Sequence, residues 1–90
     1  MYRVIDKRGS GKTSRLMLLA KEHNGIFVCS NPLAMKEKAL SYGLVGFDIM
    51  SYEEYYYGEK ENKPIFIDEL DLYLKYCDKN IKGYTLSEDD

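Results

Sequence analysis

Arg8-Gly9-Ser10-Gly11-Lys12-Thr13 is the stretch on which the reading of this chain turns. It follows a short apolar strand candidate, Tyr2-Arg3-Val4-Ile5, and opens a leucine-rich segment with helical periodicity. In that setting the glycines let consecutive backbone N–H groups turn inward around an anion, and the helix start adds the positive end of its dipole. Lys12 then reaches the terminal phosphates of a nucleotide, and the Thr13 hydroxyl is placed to ligate Mg²⁺. Arg8 and Ser14 flank the loop and complete the phosphate-binding set of Arg8, Gly9, Ser10, Gly11, Lys12, Thr13 and Ser14. The full pattern Gly-x-x-x-x-Gly-Lys-[Ser/Thr] asks for glycine where this chain has Asp6. A carboxylate there faces a polyanion unless it points away or pairs with Lys7 or Arg8. The expectation is weakened binding, because the strongest contacts come from the Gly9 to Thr13 end.

The second half of the pattern lies about 55 residues later, at Ile65-Phe66-Ile67-Asp68-Glu69. An apolar strand ending in an acid can deliver a carboxylate to the metal, and Asp68 fits that role. The acid after it sits where it could polarise the attacking water, so Glu69 is the candidate general base and Lys12 the second catalytic group. Each half alone has a bland alternative: a turn plus helix cap for 9–13, and two acids capping the next helix for 68–69. The pair together favours a nucleotide site with ATP and Mg²⁺ as its ligands.

Outward from these motifs, strands and helices alternate. The helix expected over 12–23 places Leu16, Leu19, Ala20 and His23 on one face, flanked by Met17 and Leu18, and Asn24-Gly25 stops it with glycine in the left-handed cap. Ile26-Phe27-Val28-Cys29 has the unbroken apolar character of a parallel strand buried on both faces. Asn31-Pro32 is an N-cap followed by proline at the first helical position, predicting a helix to about residue 42 that ends at Gly43. Phe47-Asp48-Ile49-Met50 reads as a short strand. Ser51-Tyr52-Glu53-Glu54 has capping-box spacing and predicts a short helix through the tyrosines. The charged loop 58–63 is solvated. A helix follows over 70–76, then a last strand over 81–86, and 87–90 is an acidic, frayed tail. The fold class is α/β with a mostly parallel sheet.

A chain of 90 residues with 44% hydrophobic and 31% charged residues forms one small domain. That size buries roughly 60–65% of its unfolded surface, so a ligand or partner adds usefully to its stability. A net charge of −2 supplies no global basic field for nucleic acid. Cys29 and Cys77 match no metal-ligand spacing and read as reduced thiols of a cytoplasmic protein. No apolar run reaches the length of a membrane span.

On its two motifs the chain resembles the P-loop NTPases with a glutamate in the Walker B strand, the division that includes AAA-type, RecA-like, helicase and terminase motors. It is most similar to very small ATPase-like proteins encoded in phage genomes. The likeness runs through 8–13, 26–29, 51–54, 65–70 and Ile81-Lys82-Gly83-Tyr84-Thr85, and only the two Walker elements are specific. It implies a minimal three-layer αβα P-loop fold of about four strands over 1–86, in the host cytoplasm. It also implies a polar sensor on the strand beside Walker B, Thr85, with Ser87 as second choice. A full motor's last strand and lid are not expected in this chain. Adenine recognition and an arginine finger would come from a homo-oligomer or protein partner, and hydrolysis would be slow or partner-dependent. Neither Arg3 nor Arg15 is marked as a finger by its surroundings.

The remaining features carry a different class of reading. His23 suits the helix dipole at its end. Tyr52, Tyr55, Tyr56 and Tyr57 belong to packing or a partner interface before base stacking, so nucleic acid is not the favoured partner. The alternative function is a non-catalytic interaction protein that uses the P-loop scaffold and these tyrosines to bind and modulate a host factor.

Overall fold

The computed structural model describes residues 11–59 and 61–85. The strand expected at 2–6, most of the phosphate loop (Arg8, Gly9, Ser10), Leu86, Ser87 and the acidic tail lie outside the described residues. The elements run α1 (Lys12–Glu22), β1 (Ile26–Cys29), α2 (Pro32–Ser41), β2 (Asp48–Ser51), α3 (Tyr52–Tyr57), β3 (Ile65–Ile67) and α4 (Leu70–Cys77).

The three strands form a parallel sheet in the order β2-β1-β3. β1 is central and buried along its whole length, as its uninterrupted apolar sequence requires. Its side chains alternate between two cores. Phe27 and Cys29 join Leu16, Met17 and Ala20 of α1, Ala39 of α2 and Phe66 of β3. Ile26 and Val28 face the other way, against Tyr52 of α3 and the partly buried Tyr55, Ile65, Ile67 and Tyr73. Helices α1 and α2 thus cover one face and α3 and α4 the other, an α/β three-layer arrangement with a smaller described sheet than the four strands expected.

The local signals explain most boundaries. Asn31 accepts the Ala34 N–H and Pro32 occupies the first turn of α2. Ser51 and Glu54 complete a reciprocal capping box on α3, with bonds of 2.8 and 3.0 Å. Gly43, at φ 73°, closes α2 with Leu44 N–H bonded to Ala39 O and Gly43 N–H to Leu40 O.

Three expectations need correction. At the end of α1 it is Asn24 that takes the left-handed conformation, at φ 52°. Gly25 serves another purpose: a Cβ there would stand 2.6 Å from Pro64 O and 2.8 Å from Phe66 Cε1, so its bareness lets the chain enter β1 against β3. Second, Met17 is fully buried, whereas Leu19 is only partly so and His23 is exposed. The ring of His23 stacks on Phe66 at 5.9 Å from the helix end. Third, 81–85 forms no strand. With Gly83 in its centre and 82–85 exposed, this segment buries too little apolar surface to order a strand. The described residues of the 58–63 loop are mostly exposed, although Lys63 bridges Asp48 at 3.1 Å and Glu61 at 3.3 Å.

Two substitutions test this packing by urea unfolding. Phe27→Ala leaves a cavity in the main core and is expected to cost about 3–5 kcal/mol. Gly25→Ala, mild at most helix ends, is expected to cost about 1–3 kcal/mol here through overpacking.

Candidate functional site

Parallel strands end together, and in this sheet the helices that follow neighbours β1 and β3 leave to opposite faces: α2 goes to one core and α4 to the other. A crevice opens outside the carboxyl ends of such strands. At that end of the sheet the described structure brings together residues from both sequence motifs.

Gly11 caps α1 with φ 84°, a left-handed conformation that costs glycine little and that the Arg15 N–H to Gly11 O bond of 3.2 Å anchors. The first residues of α1, Lys12 and Thr13, are therefore held at its positive end. The Thr13 hydroxyl donates to Asp68 Oδ1 at 3.3 Å across 55 residues of chain. Asp68 is fixed in turn by its N–H to Val28 O bond of 2.9 Å, which extends the β3 pairing by one step. Ser14 turns back and donates to Gly11 O at 2.9 Å, so its hydroxyl secures the helix start.

Burial raises the Asp68 carboxyl above its ordinary range, and the neighbouring Glu69 charge adds to this. The Thr13 hydrogen bond, Lys12 and Lys38 oppose the shift. Asp68 is thus a partly desolvated acid. Cys29, at the end of β1, is pushed up to about 11 by burial and stays a neutral thiol; its Sγ lies 3.7 Å from Met50 O.

Glu69 adopts φ 57° and ψ 65°, a left-handed conformation for a residue with a side chain. Such a conformation costs of order 1–3 kcal/mol and persists only where the surroundings impose it. Here Glu69 O starts α4, accepting the N–H of Leu72 at 2.9 Å and of Tyr73 at 3.1 Å. Its carboxylate makes no capping bond to the helix it precedes. The bland reading of these acids as side-chain caps for the next helix therefore does not hold for Glu69.

Lys12, Thr13, Asp68 and Glu69 are brought together, and Arg8, Gly9 and Ser10 lie outside the described residues. Thr85 is exposed in the irregular 81–85 segment, so the sensor strand expected for it is not formed over the described residues. What sequence reasoning missed is Tyr52, treated there as packing or a stacking platform. Its ring is buried and its hydroxyl donates to Asp68 O at 2.7 Å, with Glu69 O at 3.3 Å. The available signal was its place directly after a strand that ends on the same side of a parallel sheet as Asp68.

The donor set suits Mg²⁺. A hydroxyl and a carboxylate are hard oxygen ligands of the kind Mg²⁺ takes, and their 3.3 Å separation would have to close to about 2.9 Å to form adjacent corners of its octahedron. Among the described residues no group of three or more His, Cys, Asp or Glu could enclose a metal alone, and no helix is long and apolar enough to cross a membrane. No family model, curated protein or solved structure matches the chain.

The raised Asp68 carboxyl predicts a trade between stability and ligation. Because its folded pKa exceeds its unfolded one, folding binds protons, and stability falls as pH rises through the window between the two values. In metal-free protein, Asp68→Asn is expected to be at least as stable as the parent at neutral pH. That advantage should shrink to nothing below the ordinary carboxylate range, as read by melting temperature across pH.

Proposed function

We propose that the chain binds ATP with Mg²⁺ at the carboxyl end of its sheet and hydrolyses it slowly, with assembly or a partner supplying what one protomer lacks. The observation that carries this reading is the Thr13–Asp68 contact. A hydroxyl just after a Gly-Lys helix start and a carboxylate just after an apolar strand meet at 3.3 Å, which neither a helix cap nor a surface loop requires.

In this reading Gly9, Ser10 and Gly11 turn backbone N–H groups toward the phosphates, Arg8 and Ser14 border them, and Lys12 pairs with the terminal groups. Mg²⁺, held by Thr13 and Asp68, supplies charge neutralisation on the phosphate oxygens. Glu69, whose carboxylate is not spent on capping α4, orients the attacking water and accepts its proton. The arginine finger comes from a second copy or another protein, since neither Arg3 nor Arg15 is marked for that role.

A second reading draws on a different surface. Tyr57 is 75% exposed, Tyr56 46% and Tyr76 41%, and their rings meet edge to face at 5.0 and 6.0 Å. An exposed aromatic group of this kind suits an interaction protein that modulates a host factor.

Calorimetry with ATP, GTP and Mg²⁺, with light scattering to follow assembly, separates the two. The nucleotide reading expects Mg²⁺-dependent binding that Lys12→Ala weakens at least tenfold, a change of about 1.4 kcal/mol. Glu69→Gln is expected to keep binding and to lose about 100-fold or more in turnover. A folded protein without Mg²⁺-nucleotide binding would favour the interaction module.

A further inference from the structure

We propose that Tyr52 is a positioning residue whose hydroxyl clamps the Asp68–Glu69 turn and so fixes the backbone that carries the Glu69 carboxylate. The inference rests on the nucleotide reading for its catalytic consequence, but the clamp itself is a property of the folded chain.

Tyr52 is delivered by local chemistry unrelated to β3. The capping box of Ser51 and Glu54 starts α3 directly at the end of β2 and fixes where the first helical residue points. Its ring is gripped in the second core beside Ile26 and Val28, and edge to face with Tyr73 at 5.4 Å. The hydroxyl that emerges reaches past the end of β1 to the backbone of another strand, donating to Asp68 O at 2.7 Å, with Glu69 O at 3.3 Å.

Those two carbonyls bracket the strained residue. Glu69 sits at φ 57° with no side-chain cap of its own, a conformation that non-glycine residues leave unless something holds them. The peptide between Asp68 and Glu69 is held at Asp68 O by the hydroxyl, and Glu69 O by the first turn of α4. Releasing the hydroxyl lets the Asp68–Glu69 peptide rotate toward an ordinary conformation. The Glu69 carboxylate would then move with its backbone, while Asp68 keeps its N–H bond to Val28 O.

The test is Tyr52→Phe, which deletes one oxygen and keeps the ring in its core. Tyr57→Phe, at the exposed end of the same helix, is the matched control. Amide hydrogen exchange at Leu72 and Tyr73, whose N–H groups bond Glu69 O, reports the turn without any nucleotide. Tyr52→Phe is expected to speed exchange at these two amides at least fivefold, with the β1 amides little changed. Tyr57→Phe should change neither. Where turnover is measurable, Tyr52→Phe should lower kcat at least tenfold while leaving KM and Mg²⁺-ATP affinity within about threefold, a split that a general loss of packing would not produce. Unchanged exchange at Leu72 and Tyr73 overturns the clamp whether or not the protein binds ATP. Faster exchange with kcat intact in an active protein overturns its positioning role. Faster exchange in a protein that binds no nucleotide leaves the clamp standing and removes the nucleotide reading instead.

Discussion

The structure depends on a four-residue strand with both faces covered. Every side chain of Ile26–Cys29 is buried, and a strand in that position must alternate its side chains between two separate cores. Phe27 and Cys29 gather α1 and α2 on one side, while Ile26 and Val28 gather the tyrosine-rich α3 and α4 on the other. So small a domain has few residues to spend on a core. Placing the most apolar run at the centre lets each of its residues organise a layer. Parallel pairing on both edges then has a consequence for chemistry: all three strands finish at the same end, where Thr13 and Asp68 meet.

The turn that follows β3 carries local costs. Asp68 is partly desolvated next to a second acid, and Glu69 occupies a backbone conformation that a side chain disfavours. Neither arrangement helps the domain fold. Local costs of this kind are found enriched at functional sites in proteins at large, which is why the proposed nucleotide reading centres on this turn. The compensation lies in the second core, where the Tyr52 ring is buried and its hydroxyl serves the turn. One residue therefore joins the apolar packing of the sheet to the backbone of the Asp68–Glu69 turn.

The tyrosines divide accordingly. Tyr52 is buried, and Tyr55 and Tyr73 are half-buried against the same core. The Tyr73 hydroxyl is pushed up to about 12 by burial first and by its contact with Cys77 second. Tyr57 stands outside at the far end of α3. A run that looks uniform along the chain is thus sorted by helical rotation into packing at one end and exposed surface at the other.

Signals confined to a few neighbouring residues were legible in the sequence by itself. Asn31-Pro32 and the Ser51/Glu54 pair set helix starts because their bonds close within one turn, Gly43 ended α2 for the same reason, and the unbroken apolar character of 26–29 marked the central strand. The spacing of Thr13 and Asp68 also suggested that they meet. Tertiary structure decided what depends on distant partners. Gly25 is bare because of Pro64 and Phe66, and Met17 displaced Leu19 from the deepest position of α1. The 81–85 segment stayed irregular, with 82–85 exposed, despite its apolar and β-forming residues. Above all, the left-handed turn at Glu69 and the hydroxyl that spans it have no local code. They arise from α3 and β3 meeting at one end of a shared sheet, and only the fold creates that meeting.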